Sequence, residues 1–171
     1  MKTIMQMRQI SEQDLPDIYC DMDQVLCNFM KCSDADVGGS FVNTDKDERW
    51  NKISQTKNFW SNLEWMPGAK SMYQFIEKYD PYILSAASGR DPNSRTGKLK
   101  WLAKNTNFPK SRIYLVMRSQ KQKYATTNGK PNILIDDYIK NIKEWEKKGG
   151  IGIRHTDPRK TINELKRLGF K

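Results

Sequence analysis

The stretch DIYCDMDQVL, residues 17–26, is the most informative part of the chain. Its three consecutive apolar residues, 18–20, are typical of a short strand that is buried on both faces. Two carboxylates, Asp21 and Asp23, follow directly. Open parallel sheets bind ligands beyond the carboxyl ends of their strands. The stretch therefore predicts a strand that delivers two acidic side chains to a binding site.

Four later segments also have the composition of buried strands, and helical patterns separate them. Strands that alternate with helices in this way form a parallel sheet with helices on both faces. We therefore predict an α/β fold, a Rossmann-like three-layer sandwich with a central parallel sheet. The four segments are YIL (82–84), RIYLVM (112–117), ILI (133–135) and IGI (151–153).

The chain is expected to form one domain over residues 17–171, after a polar extension of residues 1–16 that could be flexible. A chain of this length suits a single domain with a sizeable core. The segment between the first strand and Pro67 is longer than one crossover needs. We therefore predict that residues 29–66 form a small helical cap inserted after the first strand.

A helix and a loop are predicted in the second half of the chain. A helix is expected over residues 98–104, with Leu99 and Leu102 on one side because they lie at helical spacing. Residues 118–131, which are rich in polar side chains, are expected to form a loop with one helical turn.

The chain carries a net charge of +10, from 30 basic and 20 acidic residues. This excess favours an anionic partner, such as a nucleotide, another phosphorylated small molecule or a nucleic acid. A solvated, lysine-rich surface explains the charge equally well, because the charges are spread over the last two-thirds of the chain.

No segment indicates a membrane-bound or secreted protein. No run reaches the roughly 18 apolar residues of a membrane helix, and the N-terminus lacks the apolar stretch of a signal peptide. The three cysteines are expected to be reduced thiols, since a chain of this length needs no disulfide and its single histidine makes a zinc site improbable. We therefore expect a cytoplasmic protein without a membrane partner.

Polar side chains follow four of the five predicted strands, and we expect them to converge at one edge of the sheet. Carboxylates that lie close together raise each other's pKa unless a cation lies among them, and Mg²⁺ takes oxygen ligands. A lysine and a hydroxyl at the same edge supply the charge and the donor that a phosphate needs. The side chains concerned are Asp21 and Asp23, Ser85, Arg118 and Lys121, and Asp136 and Asp137.

Each of these residues alone has an ordinary structural explanation. An Asp-x-Asp triplet is usually a turn or a surface pair, an Asp-Asp pair often caps a helix, and a lone lysine is usually solvated. The apolar runs directly before Asp21, Ser85 and Asp136 make coincidence the poorer explanation. The set predicts a metal and phosphate site, with one carboxylate as nucleophile and another for proton transfer.

The same segments resemble the haloacid-dehalogenase-like phosphatases. The motifs are DMDQVL (21–26), YILS (82–85), a lysine after RIYLVMRSQ, and ILIDD (133–137). Response-regulator receiver domains use a similar set of Asp, Ser or Thr, and Lys, but their acidic pair comes first. Here the Asp-x-Asp motif comes first and the Asp-Asp pair last, which favours the phosphatases.

Within that superfamily, the chain is most similar to the 5'(3')-deoxyribonucleotidases. KNFWSNLEWMPGA (57–69) resembles their segment between cap and core, Phe29 lies eight residues after the expected nucleophile, and residues 135–153 add a third similar segment. The resemblance covers most of residues 17–155. It implies Mg²⁺-dependent hydrolysis of a phosphate monoester through an aspartyl-phosphate intermediate, with (deoxy)nucleoside monophosphates as the expected substrates.

The resemblance also implies catalytic and phosphate-binding roles. Asp21 would attack phosphorus, and it would also contact the metal. Asp23 would protonate the leaving group and then activate water, while its main-chain carbonyl would bind Mg²⁺. Ser85 and the amide of Ala86 would hold phosphate oxygens. The phosphate lysine would be Lys121, with Lys123 as the alternative.

The remaining metal ligands and the substrate contacts complete the implied set. Asp137 would bind Mg²⁺ directly with Asp136 in support, or the reverse. Phe29 and Trp60 would line a nucleoside pocket, or else pack the cap onto the sheet. Arg118 would contact the substrate or simply lie at the end of a strand.

Two departures from the family pattern bear on the substrate. Gln24 stands where this family often has Gly, and two alanines replace a second hydroxyl or a Pro after Ser85. Three functions remain open: a nucleotidase or other small-molecule phosphatase, a polynucleotide 3'-phosphatase whose positive surface tracks a strand, and a non-catalytic module that binds metal and phosphoryl groups.

Overall fold

The computed structural model describes residues 15–171, so the predicted extension of residues 1–16 lies outside the described residues except for Leu15 and Pro16. The strands are β1 (Ile18–Cys20), β2 (Tyr82–Ala86), β3 (Ile113–Val116), β4 (Thr126–Thr127), β5 (Lys130–Pro131), β6 (Ile133–Asp136) and β7 (Ile151–Arg154). The helices are α1 (Phe29–Val37), α2 (Lys46–Gln55), α3 (Ala69–Glu77), α4 (Asn93–Asn105), α5 (Ile139–Lys147) and α6 (Pro158–Arg167). Within residues 15–171, none of the helices combines the length and apolarity that a membrane crossing requires.

Five strands form one parallel sheet in the order β3-β2-β1-β6-β7, which confirms the predicted α/β class. The central strand β1 pairs with β2 on one side and with β6 on the other. Cys20 is in register with Ile83 and with Ile135. Strand β6 continues one residue beyond this level, to Asp136, and β2 continues three residues beyond it, to Ala86.

The sheet is the middle layer of three. Side chains alternate between its faces, as the pleat of a strand requires. Residues such as Ile18 pack with α3, α4 and α6 on one face, and Tyr19 and Leu134 pack against Trp145 of α5 on the other. Both faces are covered, which explains why the strand segments are almost continuously apolar.

The helical segment between β1 and α3 begins and ends at two neighbouring stretches of chain, residues 26–28 and 64–66, which are hydrogen-bonded to each other. The amide of Asn28 donates to the carbonyl of Glu64 (2.8 Å), and the amide of Met66 donates to that of Leu26 (2.7 Å). Between these contacts lie α1, α2 and a 3₁₀ turn at Trp60–Asn62. Residues 29–66, the predicted cap, are called the cap segment below.

Helix α4 differs from its prediction in length and in its buried side. It begins at Asn93 rather than near residue 98, and its buried residues include Lys98, Trp101 and Leu102. Leu99, which was predicted to share one side of the helix with Leu102, is 41% exposed. Leu102 is therefore buried without Leu99, and Lys98 lies on the buried side of the helix.

Residues 118–131 contain more structure than predicted. A 3₁₀ helix spans Arg118–Tyr124, and β4 and β5 form a small antiparallel hairpin. Asn128 and Gly129 join the two strands, and both have positive φ (51° and 75°). Asn-Gly is the preferred pair for such a two-residue turn, so the sequence did carry a signal for this hairpin.

Candidate active site

The candidate site lies where β1, β2 and β6 end. The amide of Asp21 donates to the carbonyl of Ile135 (2.9 Å), which continues the β1–β6 pairing by one residue. Asp21 is thus level with Asp136, and Ser85 lies near the end of the neighbouring strand β2. Side chains from three distant parts of the sequence meet because their strands are adjacent and parallel.

Lys121 lies between two of the carboxylates. Its Nζ is 3.0 Å from Asp21 Oδ2 and 2.7 Å from Asp136 Oδ2, and the side chain is buried. Burial alone would lower the pKa of Lys121, but the two carboxylates outweigh burial and raise it. The lysine therefore stays charged beside Asp21. Lys123, the alternative phosphate lysine, is exposed.

Three carboxylates share this region. Asp21, Asp136 and Asp137 each offer one oxygen, and the three oxygens all lie within 4.8 Å of one another. Burial, with a further contribution from Asp21, raises the pKa of Asp136 to about 6 and that of Asp137 to about 7. Such a crowded set of oxygen ligands suits a divalent cation, which would stabilise the charged forms.

The two adjacent carboxylates of this set are held differently. Asp136 is completely buried, and its Oδ2 accepts hydrogen bonds from Lys121 and from Asn141 Nδ2 (2.9 Å). Its Oδ1 accepts from the amide of Tyr138 (2.9 Å). Asp137 is partly exposed, and its carboxylate accepts a hydrogen bond from its own main-chain amide. Asp137 therefore has the freer oxygens.

A second buried lysine, which the sequence analysis missed, lies on the β2 side of β1. Lys98 Nζ is 2.8 Å from Asp23 Oδ2, 3.1 Å from Ser85 Oγ and 2.7 Å from the carbonyl oxygen of Ala86. Burial raises the pKa of Asp23, and the charge of Lys98 partly offsets this effect. Lys98 lies in the middle of α4, and a search for polar residues directly after predicted strands therefore does not find it.

The close approach of α4 to the cap segment brings Lys98 into this position. At Gly97, a β-carbon would lie 2.3 Å from the Cβ of Trp60, so only glycine fits there. The ammonium group of Lys98 lies 5.4 Å from the centroid of the Trp60 ring, within reach of a cation–π interaction. Trp60 therefore forms one wall of the Lys98 environment.

The two aromatic residues predicted to bind substrate are in contact with each other. The rings of Phe29 and Trp60 are stacked, with centroids 5.4 Å apart, and Trp60 Nε1 donates to Asp91 (2.6 Å). Trp60 is almost completely buried, whereas Phe29 and the neighbouring Trp50 are partly exposed. Trp60 thus packs the cap segment onto the core, while Phe29 and Trp50 keep exposed surface.

Arg118 is engaged away from the carboxylate cluster. Its guanidinium group donates to Glu144 (2.8 Å) and to Asn141 Oδ1 (2.9 Å), both on α5. Asn141 in turn donates to Asp136. Arg118 is therefore linked to the site through Asn141, and its predicted contact with substrate stays a prediction.

Gln24 occupies the turn after Asp23 in a left-handed conformation, with φ of 60°. Such a conformation is unfavourable for a residue with a side chain, which explains why glycine is common here in the resembling family. The side-chain oxygen of Gln24 accepts a hydrogen bond from the amide of Met30 (2.9 Å) in the first turn of α1. This contact ties the turn to the cap segment.

Solved structures of similar fold are known. A hydrolase from Streptococcus pneumoniae TIGR4 is similar with a TM-score of 0.55 at 12% sequence identity, over 89% of this chain and 98% of that chain. This chain shares its α/β fold. A hydrolase from Pseudomonas syringae has a TM-score of 0.49 at 14% identity, over 90% of each chain. A HAD family hydrolase from Deinococcus radiodurans R1 with bound phosphate and sodium has a TM-score of 0.49 at 13% identity, over 91% of this chain and 88% of that chain.

No protein-family model matches the sequence, and no curated protein matches it. The similarity to solved structures therefore shows the fold alone. Two lysines and four carboxylates meet at the end of the sheet, together with Ser85.

Proposed function

We propose that this protein is a phosphatase of the haloacid-dehalogenase-like type, which hydrolyses phosphate monoesters through Asp21. The observation that carries the proposal is the position of Asp21, 3.0 Å from the buried Lys121 and grouped with the oxygens of Asp136 and Asp137. A carboxylate can attack a phosphate dianion only where positive charge offsets the repulsion. Lys121 supplies part of that charge.

The donor set fits Mg²⁺, which binds oxygen ligands and uses one or two protein carboxylates. Asp137 is the proposed direct ligand together with Asp21, because both oxygens of Asp136 already accept hydrogen bonds. The main-chain carbonyl of Asp23 is the third proposed ligand. When bound, the ion neutralises charge on the phosphate oxygens.

The proposed reaction has two steps. In the first, an oxygen of Asp21 bonds to phosphorus, the ester P–O bond breaks, and Asp23 gives a proton to the leaving alkoxide. In the second, Asp23 takes a proton from water, the water oxygen bonds to phosphorus, and the P–O bond to Asp21 breaks. Inorganic phosphate leaves, and both carboxyl groups return to their starting forms.

Three groups are proposed to hold the phosphate oxygens: the hydroxyl of Ser85, the amide of Ala86 and the ammonium group of Lys121. Lys121 is favoured over Lys123 because it is buried beside Asp21. The amide of Met22 donates to Asp21 Oδ1 (2.8 Å), and this contact fixes the orientation of the nucleophile.

The proposed substrate is a small phosphomonoester, most specifically a (deoxy)nucleoside monophosphate, as the resemblance to the 5'(3')-deoxyribonucleotidases implies. The partly exposed rings of Phe29 and Trp50 support a substrate that carries an aromatic base, such as a nucleotide. Cys20, Cys27 and Cys32 are free thiols, which supports a cytoplasmic location.

The proposal is tested by a phosphatase screen over nucleoside monophosphates, sugar phosphates and 3'-phosphorylated oligonucleotides. Each substrate is assayed with Mg²⁺, with EDTA, and with EDTA followed by excess Mg²⁺. We expect release of inorganic phosphate from dUMP or a related nucleotide, loss of that activity in EDTA, and recovery on adding Mg²⁺.

Two other functions correspond to different outcomes of the same screen. A polynucleotide 3'-phosphatase, which the net charge of +10 favours, would prefer the oligonucleotide, and its preference would decline at high salt. Absence of Mg²⁺-dependent turnover on every phosphomonoester would contradict the phosphatase proposal and favour a non-catalytic binding module.

A further inference from the structure

Lys98 is the least expected charged residue of the core. Its side chain is completely buried, at 0% exposure, in the middle of α4. Burial of a charge carries a desolvation cost that van der Waals packing does not offset. A methionine would fill the same space without that cost. The lysine therefore needs an explanation beyond the stability of the helix.

All the hydrogen-bonding capacity of Lys98 is already used. An ammonium group has three N–H donors, and three acceptors lie within 3.1 Å: Asp23 Oδ2, Ser85 Oγ and the carbonyl of Ala86. None is left to bind a phosphate oxygen in this arrangement. Lys98 thus acts through its neighbours rather than on the substrate.

The contact with Lys98 determines which carboxylate oxygen of Asp23 is engaged and which is not. Lys98 holds Oδ2, whereas Oδ1 is buried and has no hydrogen-bond partner among residues 15–171. A buried carboxylate oxygen without a partner is rare in a folded protein and calls for an explanation. Because Lys98 occupies Oδ2, Oδ1 is the oxygen left to exchange a proton with the leaving group and with water in the proposed reaction.

Lys98 also determines the orientation of the Ser85 hydroxyl. Because Lys98 has only donors, Ser85 Oγ must accept from it. The hydroxyl hydrogen of Ser85 is then directed to another acceptor, and a phosphate oxygen is the acceptor that the proposed reaction provides. One lysine therefore sets the direction of two groups that the reaction uses.

We propose that Lys98 is a positioning residue that fixes Asp23 for proton transfer and Ser85 for phosphate binding. This inference rests on the proposed function, since both groups have these tasks only in a phosphatase. Lys121 has a different place, between Asp21 and Asp136, and so the two lysines are not interchangeable.

The test compares two substrates that differ in their need for a proton. The leaving group of an alkyl phosphomonoester, such as a nucleoside 5'-monophosphate, is an alkoxide that must be protonated. The leaving group of p-nitrophenyl phosphate is a stable phenolate that needs no proton. General acid catalysis is worth about 10²–10⁴-fold where the leaving group needs it. The value of kcat/KM is compared because it reports the steps up to release of the leaving group.

For Lys98→Met we expect kcat/KM to fall by about 10²-fold or more on the nucleotide, within the range of general acid catalysis, and by a clearly smaller factor on p-nitrophenyl phosphate. Asp23→Asn should show the same substrate dependence, and adding Lys98→Met to it should cost little more on the nucleotide, because the two residues act as a unit. Lys98→Arg should restore part of the loss. Lys100→Met, an exposed lysine on the same helix, is the matched control and should match wild type.

An equal loss on both substrates, or full additivity with Asp23→Asn, would overturn the inference while leaving the phosphatase proposal intact. An inactive wild type would instead remove the phosphatase proposal itself. Circular dichroism and thermal unfolding establish that each variant is folded. If Lys98→Met does not fold, the ratio of the two losses is measured on Lys98→Gln, and the same outcomes decide.

Discussion

Two buried lysines flank the central strand, and they differ in the charge around them. Lys121, on the β6 side, lies beside Asp21 and Asp136, with Asp137 in the same group. When all three are ionised, one lysine among three carboxylates leaves two negative charges. Lys98, on the β2 side, is paired with Asp23 alone, which leaves no net charge.

In the proposed function, this difference separates a place suited to a metal ion from a place suited to proton transfer. A divalent cation balances the two negative charges beside Lys121, whereas a cation beside Lys98 would meet an ion pair that is already neutral. Asp21, the proposed nucleophile, and Asp23, the proposed acid/base residue, lie two positions apart in the sequence. Their surroundings differ because Asp21 lies beside Lys121 of the 3₁₀ helix Arg118–Tyr124, whereas Asp23 lies beside Lys98 of α4.

The largest expected effect is the loss of the nucleophile on the Lys121 side. Asp21→Asn keeps the shape of the side chain but cannot form an acyl phosphate that turns over. We expect kcat to fall by about 10⁴-fold or more, as losses of nucleophiles do. Steady-state kinetics on the best substrate of the screen measures this change. Residual activity within tenfold of wild type would mean that another group attacks phosphorus.

On the Lys121 side, substitution of Asp136 should mainly affect stability, and substitution of Asp137 should mainly affect metal binding. Asp136→Asn breaks a buried ion pair with Lys121, and such losses cost about 3–5 kcal/mol. Asp137→Asn removes a partly exposed carboxylate, so we expect nearly unchanged stability in the absence of metal but a weakened response to Mg²⁺. Chemical denaturation measures the first property, and Mg²⁺ titration calorimetry the second.

The reverse result, a stable Asp136→Asn with weak Mg²⁺ binding and an unstable Asp137→Asn, would exchange the roles assigned to the two residues. Both variants are isosteric with the wild-type side chain, so each serves as the control for the other.

The sequence brought together Asp21, Lys121, Asp136 and Asp137 on one side, and on the other side it predicted Asp23, Ser85 and Ala86 but missed Lys98. Asp21, Asp136 and Asp137 follow apolar strands, and the rule that parallel strands end at a common edge brings them together without any further information. Lys98 follows no strand. The signal that could have found it is helical spacing, because Trp101 and Leu102 lie three and four residues beyond it on the same side of α4.

The remaining misses have local causes. The hairpin of β4 and β5 carried an Asn-Gly signal at residues 128–129, but its strands are only two residues long and exposed, so they lack the alternation that marks a strand. The contact of Gln24 with Met30 depends on a left-handed turn that hydrophobic periodicity does not detect.

A smaller effect tests which side of α4 is buried. Leu102 is 1% exposed and Leu99 is 41% exposed, although the two lie at helical spacing. Leu102→Ala should lower the free energy of unfolding by about 2–5 kcal/mol, because it leaves a cavity in the core. Leu99→Ala should change it by less than about 1 kcal/mol. Urea denaturation of the pair measures both, and equal losses would mean that the helix is rotated from this position.

The smallest expected effect concerns Arg118, which supports the Lys121 side from a distance. Its ion pair with Glu144 is partly exposed, and pairs of that kind contribute about 0–1 kcal/mol. Arg118→Gln should therefore change stability by no more than that, and KM should stay close to wild type because the guanidinium group is directed to Asn141 and Glu144. Glu144→Gln is the matched control, since it removes the same ion pair from the other side. A KM that rises with Arg118→Gln but not with Glu144→Gln would show that Arg118 leaves its partners to contact the substrate, which is one of the two roles that the family resemblance implies.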